Sequence, residues 1–279
     1  MSDTGDLSDR DSGGPSDRRE QLNYSETMAK MLDETARRKK AAKIVAVVSH
    51  ALGVESLDAL RAVDVGCSAG FIADELALAG ATTSGVDIDE PGLVRARERF
   101  GDRVDFRVAR GEDLPFDDDS VDVVVLNHIY EHVVDPEAVV KDLHRVLSPT
   151  GVLYLGLGHR HQLIEPHYKL PFLSWLPQRA ADRYMRLTGK GNHYFEHYYS
   201  RRGLLRLFGD FDLWDYTLPV LAEPAAFAGD DVIPVWVGAL PEPVLAGTLP
   251  VVPTYIWVGF NDRGMPAGPS LRVGPRHVS

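Results

Sequence analysis

The chain contains 279 residues, of which 44% are hydrophobic, and it carries a formal net charge of −11 at pH 7. A chain of this size and composition can bury the core of one domain with an appended lobe. The acidic balance excludes a nucleic-acid partner that is held by a basic groove. The one cysteine excludes a disulfide framework and a cysteine-rich zinc site. Neither a signal-peptide core nor a run of 18 apolar residues is present, so we expect a cytoplasmic protein.

The first sixty residues divide into two segments. Residues 1–20 are largely Ser, Asp, Gly and Arg, a composition that predicts a disordered tail. Residues 21–60 form a predicted helical segment, because apolar side chains recur at helical spacing between about Tyr24 and His50. The basic run RRKK at 37–40 lies inside this helix, and we expect it to form a solvated face.

From residue 61 the chain alternates between strand-like and helix-like patterns. Apolar and β-branched runs predict seven strands, at Ala62–Val65, Thr82–Asp87, Val104–Val108, Val121–Leu126, Val152–Leu157, Phe211–Leu218 and Tyr255–Phe260. Helices with recognisable ends lie between the early strands, the clearest beginning at Asp89-Glu90-Pro91 and Asp135-Pro136. Repeated units of this length imply parallel strands with right-handed crossovers. We therefore predict an α/β fold with a doubly wound, mostly parallel seven-stranded sheet.

The alternation of strand-like and helix-like patterns ends after the fifth strand. Residues 158–200 are rich in His, Tyr, Pro and aromatic side chains, and we interpret them as an inserted helical and aromatic cap on the core at 61–157. Residues 201–262 are expected to complete the sheet around a Pro-rich insertion. Residues 263–279 are expected to form a flexible tail.

Polar and glycine residues follow the ends of the first three strands, where an open parallel sheet binds its ligands. Gly66 and Gly70 flank a turn in which Ser68 replaces the middle glycine of a dinucleotide fingerprint, which disfavours an NAD-dependent oxidoreductase. Asp87 lies 21 residues after Gly66, a spacing that suits a carboxylate bound to ribose hydroxyls. After the third strand, an acid at 112–113 could accept a hydrogen bond from an exocyclic amine, and Leu114 could offer an apolar wall to a purine.

Four segments together resemble the class I methyltransferases, in the group that includes the ubiquinone and menaquinone methylases. They are VDVGCSAG, GVDID, ARGEDLPFDDDSVDVVV and NHIYEHVVDPEAVVKDLHRVLSPTG, within residues 60–157. The resemblance implies a Rossmann-like methyltransferase fold and S-adenosylmethionine as the cofactor. The chain departs from the usual pattern at Ser68, where the family has glycine, and at Pro149-Thr150-Gly151, where the family has Pro-Gly-Gly.

The resemblance also assigns roles to residues of this chain. Asp64 and Gly66 would lie against the methionine part of the cofactor, Asp87 against the ribose, and Glu112 with Asp113 beside the adenine. Asn127 and His128 would border the reacting sulfonium. The complete set of predicted cofactor contacts is Asp64, Gly66, Ser68, Gly70, Asp87, Ile88, Glu112, Asp113, Leu114 and Asn127.

Methyl transfer to a hydroxyl requires alignment of the acceptor and removal of its proton. Histidine is the natural base near pH 7, and the candidates that follow the fourth and fifth strands are His128, His132, His159 and His161. A zinc or magnesium site formed by side chains at 159, 161, 165 and 167 is conceivable. Most members of the resembled group need no metal, so we predict none.

The insertion suggests the acceptor. Its segment HYKLPFLSWLP is similar to methylases found beside glycan-assembly genes, which implies a sugar or a lipid-linked glycan as the methyl acceptor. The alternative is a quinone or another small aromatic acceptor, and a distant third is a non-catalytic protein that binds S-adenosylmethionine. The exposed-looking aromatic side chains predict peripheral contact with the inner face of a membrane, the roof of an acceptor pocket or a dimer face. The sequence is compatible with both a monomer and a homodimer.

Overall fold

The computed structural model describes residues 34–229 and 233–278. The predicted tail at 1–20 and the first part of the predicted N-terminal helix lie outside these residues. The described chain begins with helix α1 (Glu34–Leu52), which is followed by the first strand of the sheet.

Eight strands form one sheet. Their bounds are β1 (Arg61–Val65), β2 (Thr82–Asp87), β3 (Val104–Val108), β4 (Val121–Asn127), β5 (Leu147–Leu157), β6 (Asp212–Asp215), β7 (Tyr255–Phe260) and β8 (Arg276–Val278). The helices that cross between the first five strands are α2 (Phe71–Leu78), α3 (Glu90–Phe100) and α4 (Pro136–Val146). Later helices are α5 (Gln178–Leu187), α6 (Arg201–Leu207), α7 (Thr217–Ala222), α8 (Val235–Gly238) and α9 (Glu242–Thr248).

The strand order is β3-β2-β1-β4-β5-β7-β6-β8. Strands β1 to β5 are parallel, whereas β7, β6 and β8 join through antiparallel pairs. The order reverses between β1 and β4, which places the topological switch, and therefore the expected ligand crevice, at the carboxyl ends of these two strands. The predicted doubly wound α/β fold is confirmed.

Side chains of β4 show why helices must cover both faces of the sheet. Val124 and Leu126 join a core cluster with Leu143 of α4, whereas Val123 and Val125 join a second cluster with Val48 of α1. All of these side chains are at most 1% exposed. A strand buried on both faces reads as a continuous apolar run rather than an alternating one, as β4 does.

The main difference from the predicted sheet is its eighth strand. Arg276, His277 and Val278 pair with β6, and His277 Nε2 lies 2.6 Å from Oδ1 of Asp212. This segment was predicted to be flexible because three residues without apolar alternation carry no strand signal. Its pairing covers the backbone edge that β6 would otherwise expose.

Strand β6 also ends earlier than predicted, at Asp215 rather than Leu218. Oδ1 of Asp215 accepts a hydrogen bond from the backbone N–H of Thr217 at 2.8 Å, and the chain turns at that point into α7. A local side-chain acceptor of this kind competes with continued strand pairing.

The insertion at 158–200 packs onto the carboxyl end of the sheet. It contains a short 3₁₀ helix at Leu173–Trp175 and the helix α5. Its buried side chains join the same cluster as β4 and α4; they are Leu170, Leu173, Ala181, Met185, Tyr194 and Tyr198. The insertion therefore extends the core over the region where an acceptor would approach. No helix among the described residues is long and apolar enough to cross a bilayer.

Candidate active site

The loop between β1 and α2 has the geometry of a backbone cradle. Gly66, Ser68 and Gly70 all have positive φ, at 75°, 48° and 79°. The φ of Gly66 favours glycine, and a Cβ atom there would also require the end of the Ile129 side chain to move. Ser68 adopts the left-handed region without being glycine, an arrangement that needs local support.

Asp87 provides that support. Its Oδ2 accepts a hydrogen bond from the backbone N–H of Ser68 at 2.7 Å, and its Oδ1 accepts one from the backbone N–H of Asp89 at 2.8 Å. Burial raises the pKa of Asp87, although these backbone donors oppose the shift. Half-buried Ile88 follows it directly. The carboxylate thus joins the cradle to the first turn of α3, and its remaining lone pairs stay available to ribose hydroxyls.

Asp64 lies beneath the cradle in an unusual electrostatic state. Asp64 is 1% exposed, and its Oδ2 has no hydrogen-bond partner. Burial, with the nearby charge of Asp87, raises the pKa of Asp64 to about 7. Lys40 and Arg37 of α1 oppose this shift by favouring the charged form. A buried carboxylate oxygen without a partner suits a cationic ligand group, and the ammonium group of S-adenosylmethionine has that character.

The third predicted contact region lies after β3. Asp113 is exposed, and Glu112 is half-buried with its Oε2 3.7 Å from Nε of Arg110. Leu114 is 2% exposed and belongs to the core, and its backbone N–H donates to Oδ2 of Asp142 at 2.6 Å. The acids are therefore the accessible groups of this segment, whereas Leu114 anchors it.

The end of β4 carries the most distinctive side-chain geometry of the site. His128 has φ of 56°, beside the half-buried Asn127 that ends the strand. Nδ1 of His128 lies 3.1 Å from Oε1 of the fully buried Glu131, and its Nε2 lies 3.2 Å from Oγ1 of Thr254. Unfavourable backbone geometry of this kind is concentrated at functional sites.

Burial and mutual contact set the charges of this pair. Burial lowers the pKa of His128, and nearby Lys40 and His167 add to this shift against the opposing effect of Glu131. Burial alone would raise the pKa of Glu131, but the hydrogen bond from His128 brings it below its ordinary value. The pair therefore consists of a neutral imidazole and a charged carboxylate near pH 7.

A second polar group faces this pair from the insertion. Nδ1 of His167 donates to Oε1 of buried Glu165 at 2.7 Å, and its ring lies 4.9 Å, edge to face, from the ring of His132. Glu196 Oε1 lies 3.9 Å from Nδ1 of His167. The backbone N–H of His197 donates to the carbonyl of Glu131, which ties this part of the insertion to the end of β4.

His159 and His161 lie in different surroundings. His159 is fully buried, with Nε2 2.5 Å from the carbonyl oxygen of Val252, and its Nδ1 accepts the backbone N–H of His161. Its ring stacks on Tyr255 at 4.3 Å. Both ring nitrogens of His159 are thus engaged within the fold, and His161 is exposed against Trp175. Neither histidine therefore belongs to the proposed machinery.

Several polar groups of the site carry weak or no sequence signals. Glu165 and Tyr198 approach the site only because the insertion folds back over β4, and Lys40 approaches it from α1. The resemblance does include the Glu131-His132 pair, but it does not indicate that Glu131 would orient His128. Only the short separation of residues 128 and 131 along the chain could have suggested this contact.

Comparison with known proteins identifies the domain. Residues 63–155 match the family described as "Methyltransferase domain". The ubiquinone biosynthesis O-methyltransferase of Pseudomonas syringae pv. tomato is 33% identical over 105 residues, which are 36% of this chain and 45% of the relative. That of Bordetella avium is 29% identical over 147 residues, 51% of this chain and 57% of the relative. The chain thus spans about half the length of these curated relatives.

A solved structure agrees on the architecture. A chain in the complex between the Haloferax volcanii Trm112 methyltransferase activator and a methyltransferase superposes with a TM-score of 0.50 and 18% identity, over 82% of this chain and 94% of that one. At this identity the likeness concerns the fold alone. Strand order and domain match agree, and residues 63–155 of this chain therefore form a methyltransferase domain on a Rossmann-like α/β fold.

Proposed function

We propose that this chain methylates a hydroxyl group of a small acceptor, with His128 as the general base. The observation that carries the proposal is the hydrogen-bonded pair of His128 and Glu131 at the carboxyl end of β4, beside the topological switch of the sheet. S-adenosylmethionine supplies an electrophilic methyl group on a sulfonium. The protein must then place an acceptor oxygen in line with that methyl group and remove the acceptor's proton.

The cradle residues have the chemistry to hold the cofactor. Asp64 offers a buried carboxylate oxygen to the ammonium group, and Asp87 offers lone pairs to the ribose hydroxyls. Glu112 and Asp113 can accept from the adenine amine. Four further predicted contacts, Gly66, Ser68, Gly70 and Ile88, belong to the loops that these acids organise, and Asn127 lies at the end of β4.

His128 is prepared to accept a proton. Its Nδ1–H donates to Glu131, so Nε2 carries the free lone pair, which Thr254 now approaches at 3.2 Å. An acceptor hydroxyl in the position of the Thr254 hydroxyl would transfer its proton to Nε2 as its oxygen takes the methyl group. Glu131 would stabilise the resulting imidazolium, the role that a carboxylate plays beside a catalytic histidine.

The relatives favour a phenolic acceptor. Both curated relatives described above are ubiquinone biosynthesis O-methyltransferases, and a phenol is the hydroxyl that such a pathway would present. We therefore place a quinone precursor or related small aromatic ahead of the glycan that the insertion motif suggested.

A sugar hydroxyl on a lipid carrier is the second candidate. The insertion contains buried polar atoms without hydrogen-bond partners, and the hydroxyl of Tyr194 is one of them. Such groups suit an acceptor with several hydroxyls better than a prenylated ring. Both candidates agree with an exposed apolar patch that would meet a lipid surface, formed by Leu163, Ile164, Phe172 and Trp175.

A methyl-transfer assay tests the function. The purified chain would be incubated with methyl-labelled S-adenosylmethionine and either 3,4-dihydroxybenzoate, as a phenol probe, or a lipid-linked oligosaccharide fraction. Label in the phenol supports the main proposal, and label only in the glycan fraction supports the second candidate. Absence of label in both, together with absence of S-adenosylhomocysteine binding by calorimetry, would overturn the proposed function.

A further inference from the structure

Three side chains from separate parts of the chain bring possible metal ligands together beside the proposed base. His132 follows β4, His167 lies in the first half of the insertion and Glu196 in its second half. One ligand atom from each lies within 4.8 Å of the others. The sequence suggested a different set, at 159, 161, 165 and 167, of which only His167 belongs to this cluster.

The composition of the cluster matches a known coordination class. Two histidines and one carboxylate are the protein ligands of several catalytic zinc sites, which keep a fourth position for water or substrate. Ligand atoms that lie about 2.1 Å from a tetrahedral ion stand roughly 3.4 Å from one another. The present separations would therefore contract by small side-chain rotations when an ion binds.

The surroundings of His167 have the form of an outer coordination shell. Oε1 of buried Glu165 accepts from Nδ1 of His167 at 2.7 Å, and the hydroxyl of Tyr198 lies 3.3 Å from the same nitrogen. A carboxylate that holds one nitrogen of a histidine fixes the tautomer and leaves the other nitrogen free to coordinate. Glu165 fills this position without belonging to the cluster itself.

Glu196 supplies an independent indication of a missing ligand. Its side chain is 8% exposed, and its Oε2 has no hydrogen-bond partner. Polar atoms buried to this extent are normally satisfied, and an exception calls for an unrecorded ion, water or ligand. An ion shared with the two histidines would satisfy this oxygen.

We propose that His132, His167 and Glu196 bind one divalent transition-metal ion of the zinc class, with an open position for the acceptor oxygen. Binding of the ion is independent of the proposed function, whereas its use on an acceptor rests on it. An ion there would polarise the acceptor hydroxyl, and the released proton would pass to His128. In that transfer an oxygen–methyl bond would form as the methyl–sulfur bond breaks and leaves its electron pair on sulfur. The positive charge of the sulfonium would end on the imidazolium of His128, so atoms and charge balance.

Direct metal binding tests the proposal. The full chain would be stripped with EDTA and titrated with Zn²⁺ by calorimetry and with Co²⁺ by visible absorption. We expect one ion per chain and d–d bands of a four- or five-coordinate cobalt site. Glu196→Gln, which is nearly isosteric, and His132→Ala should each weaken binding at least about a hundredfold, and Glu165→Gln about 10–100-fold. The matched control is His193→Ala, because His193 is a half-exposed histidine of the same insertion, paired with Asp182.

The outcomes separate the two proposals. S-adenosylhomocysteine binding reports whether each variant is folded and whether the cofactor site works. If cobalt binds no more tightly to the wild type than to Glu196→Gln while S-adenosylhomocysteine binds to both, the metal site is wrong and the methyltransferase proposal is untouched. If metal binds with the expected ligand dependence but neither label transfer nor S-adenosylhomocysteine binding is found, the metal site stands and the proposed function fails.

Discussion

The backbone N–H of Ser68 donates a hydrogen bond to Oδ2 of Asp87 at 2.7 Å, so the end of β2 fixes the loop that follows β1. This contact holds a non-glycine residue at φ of 48°. The carboxylate also accepts from Asp89, and one side chain therefore positions both walls of the proposed ribose site.

Asp87→Asn should damage both stability and cofactor binding. An amide has one oxygen, so the N–H of either Ser68 or Asp89 loses its acceptor, at a cost of about 1–3 kcal/mol. Chemical denaturation would measure the loss, and calorimetry should show weaker S-adenosylhomocysteine binding. Asp105→Asn, an exposed acid on neighbouring β3, is the matched control. Equal stability of the two variants would contradict this reading of Asp87.

Asp64→Asn should make the cofactor-free protein more stable and its cofactor site inactive. The folded-state pKa of Asp64 is about 7, above the unfolded value near 4. Folding therefore loses stability as pH rises from about 4 to about 7, because the buried group must become charged. Asn removes this penalty, so thermal unfolding at pH 8 should show a gain on the order of 1–3 kcal/mol.

The same carboxylate should make cofactor affinity depend on pH. An ammonium ligand prefers the charged form of Asp64, so S-adenosylhomocysteine should bind the wild type about tenfold more tightly at pH 8 than at pH 6. The charge of Asp87 raises the pKa of Asp64, whereas the charges of Lys40 and Arg37 lower it. Burial raises the pKa of the nearby Cys67 thiol, which therefore stays neutral. Asp64→Asn should bind weakly at both pH values; tight binding by this variant would contradict the assignment.

His128→Asn should lower kcat about 10²–10⁴-fold, the usual contribution of a general base, with little change in cofactor binding. Because burial lowers the pKa of His128, the imidazole stays neutral from pH 8 to below its ordinary value of 6.5. With S-adenosylmethionine held at saturation, we therefore expect a plateau in kcat/KM for the acceptor over this range and a fall only at more acidic pH. A rate that falls already between pH 8 and 7 would point to another base.

Glu131 acts on the reaction through His128, and its variant has a separate signature. Glu131→Gln removes the charge that raises the pKa of His128, so the acid limb should move to lower pH while kcat decreases. Lys40 and His167 also lower the pKa of His128, and without the charge of Glu131 this effect is no longer opposed. A reduced kcat with an unmoved acid limb would indicate a structural role only.

The extent of sequence-based prediction differed between the cradle and the insertion. The cradle lies on short strand–turn–helix units whose glycines and capping acids are local signals, and Asp87 could be placed at a strand end from them. The insertion brings Tyr198 to His167 and Glu196 close to both His132 and His167 through long-range packing, which no periodicity encodes. Strand β8 was missed for the same reason, since its pairing partner lies about sixty residues earlier.

The basic run in α1 shows how composition can mislead. We expected a solvated face, but Nη1 of Arg38 lies 2.8 Å from Oδ2 of the fully buried Asp74, and its guanidinium lies over the rings of Phe71 and Phe100. Arg38→Ala should cost about 1–3 kcal/mol in chemical denaturation, because Asp74 keeps only Arg103 as an ionic partner among the described residues. Exposed Lys39→Ala in the same run should change stability by less than about 0.5 kcal/mol.

The apolar patch of Leu163, Ile164, Phe172 and Trp175 makes the membrane proposal testable. The backbone N–H of Phe172 donates to the carbonyl of Leu163, and the rings of Phe172 and Trp175 meet edge to face at 5.4 Å, while both stay 40–50% exposed. The indole N–H is satisfied by the carbonyl of Gln162, so the ring can enter an apolar phase without leaving a donor unpaired.

Basic side chains lie in the same part of the insertion, at Arg160, Lys169 and Arg179, and all are exposed in a chain whose net charge is −11. They favour a surface with anionic headgroups. Phe172→Ser should lower binding to phosphatidylglycerol vesicles by about fivefold, as expected for half of one aromatic side chain, and Trp175→Ser should act similarly. Leu78→Ser, an exposed leucine at the end of α2, is the control. Phenol methylation in solution should be unchanged, and equal vesicle binding by all variants would remove the lipid surface from the proposal.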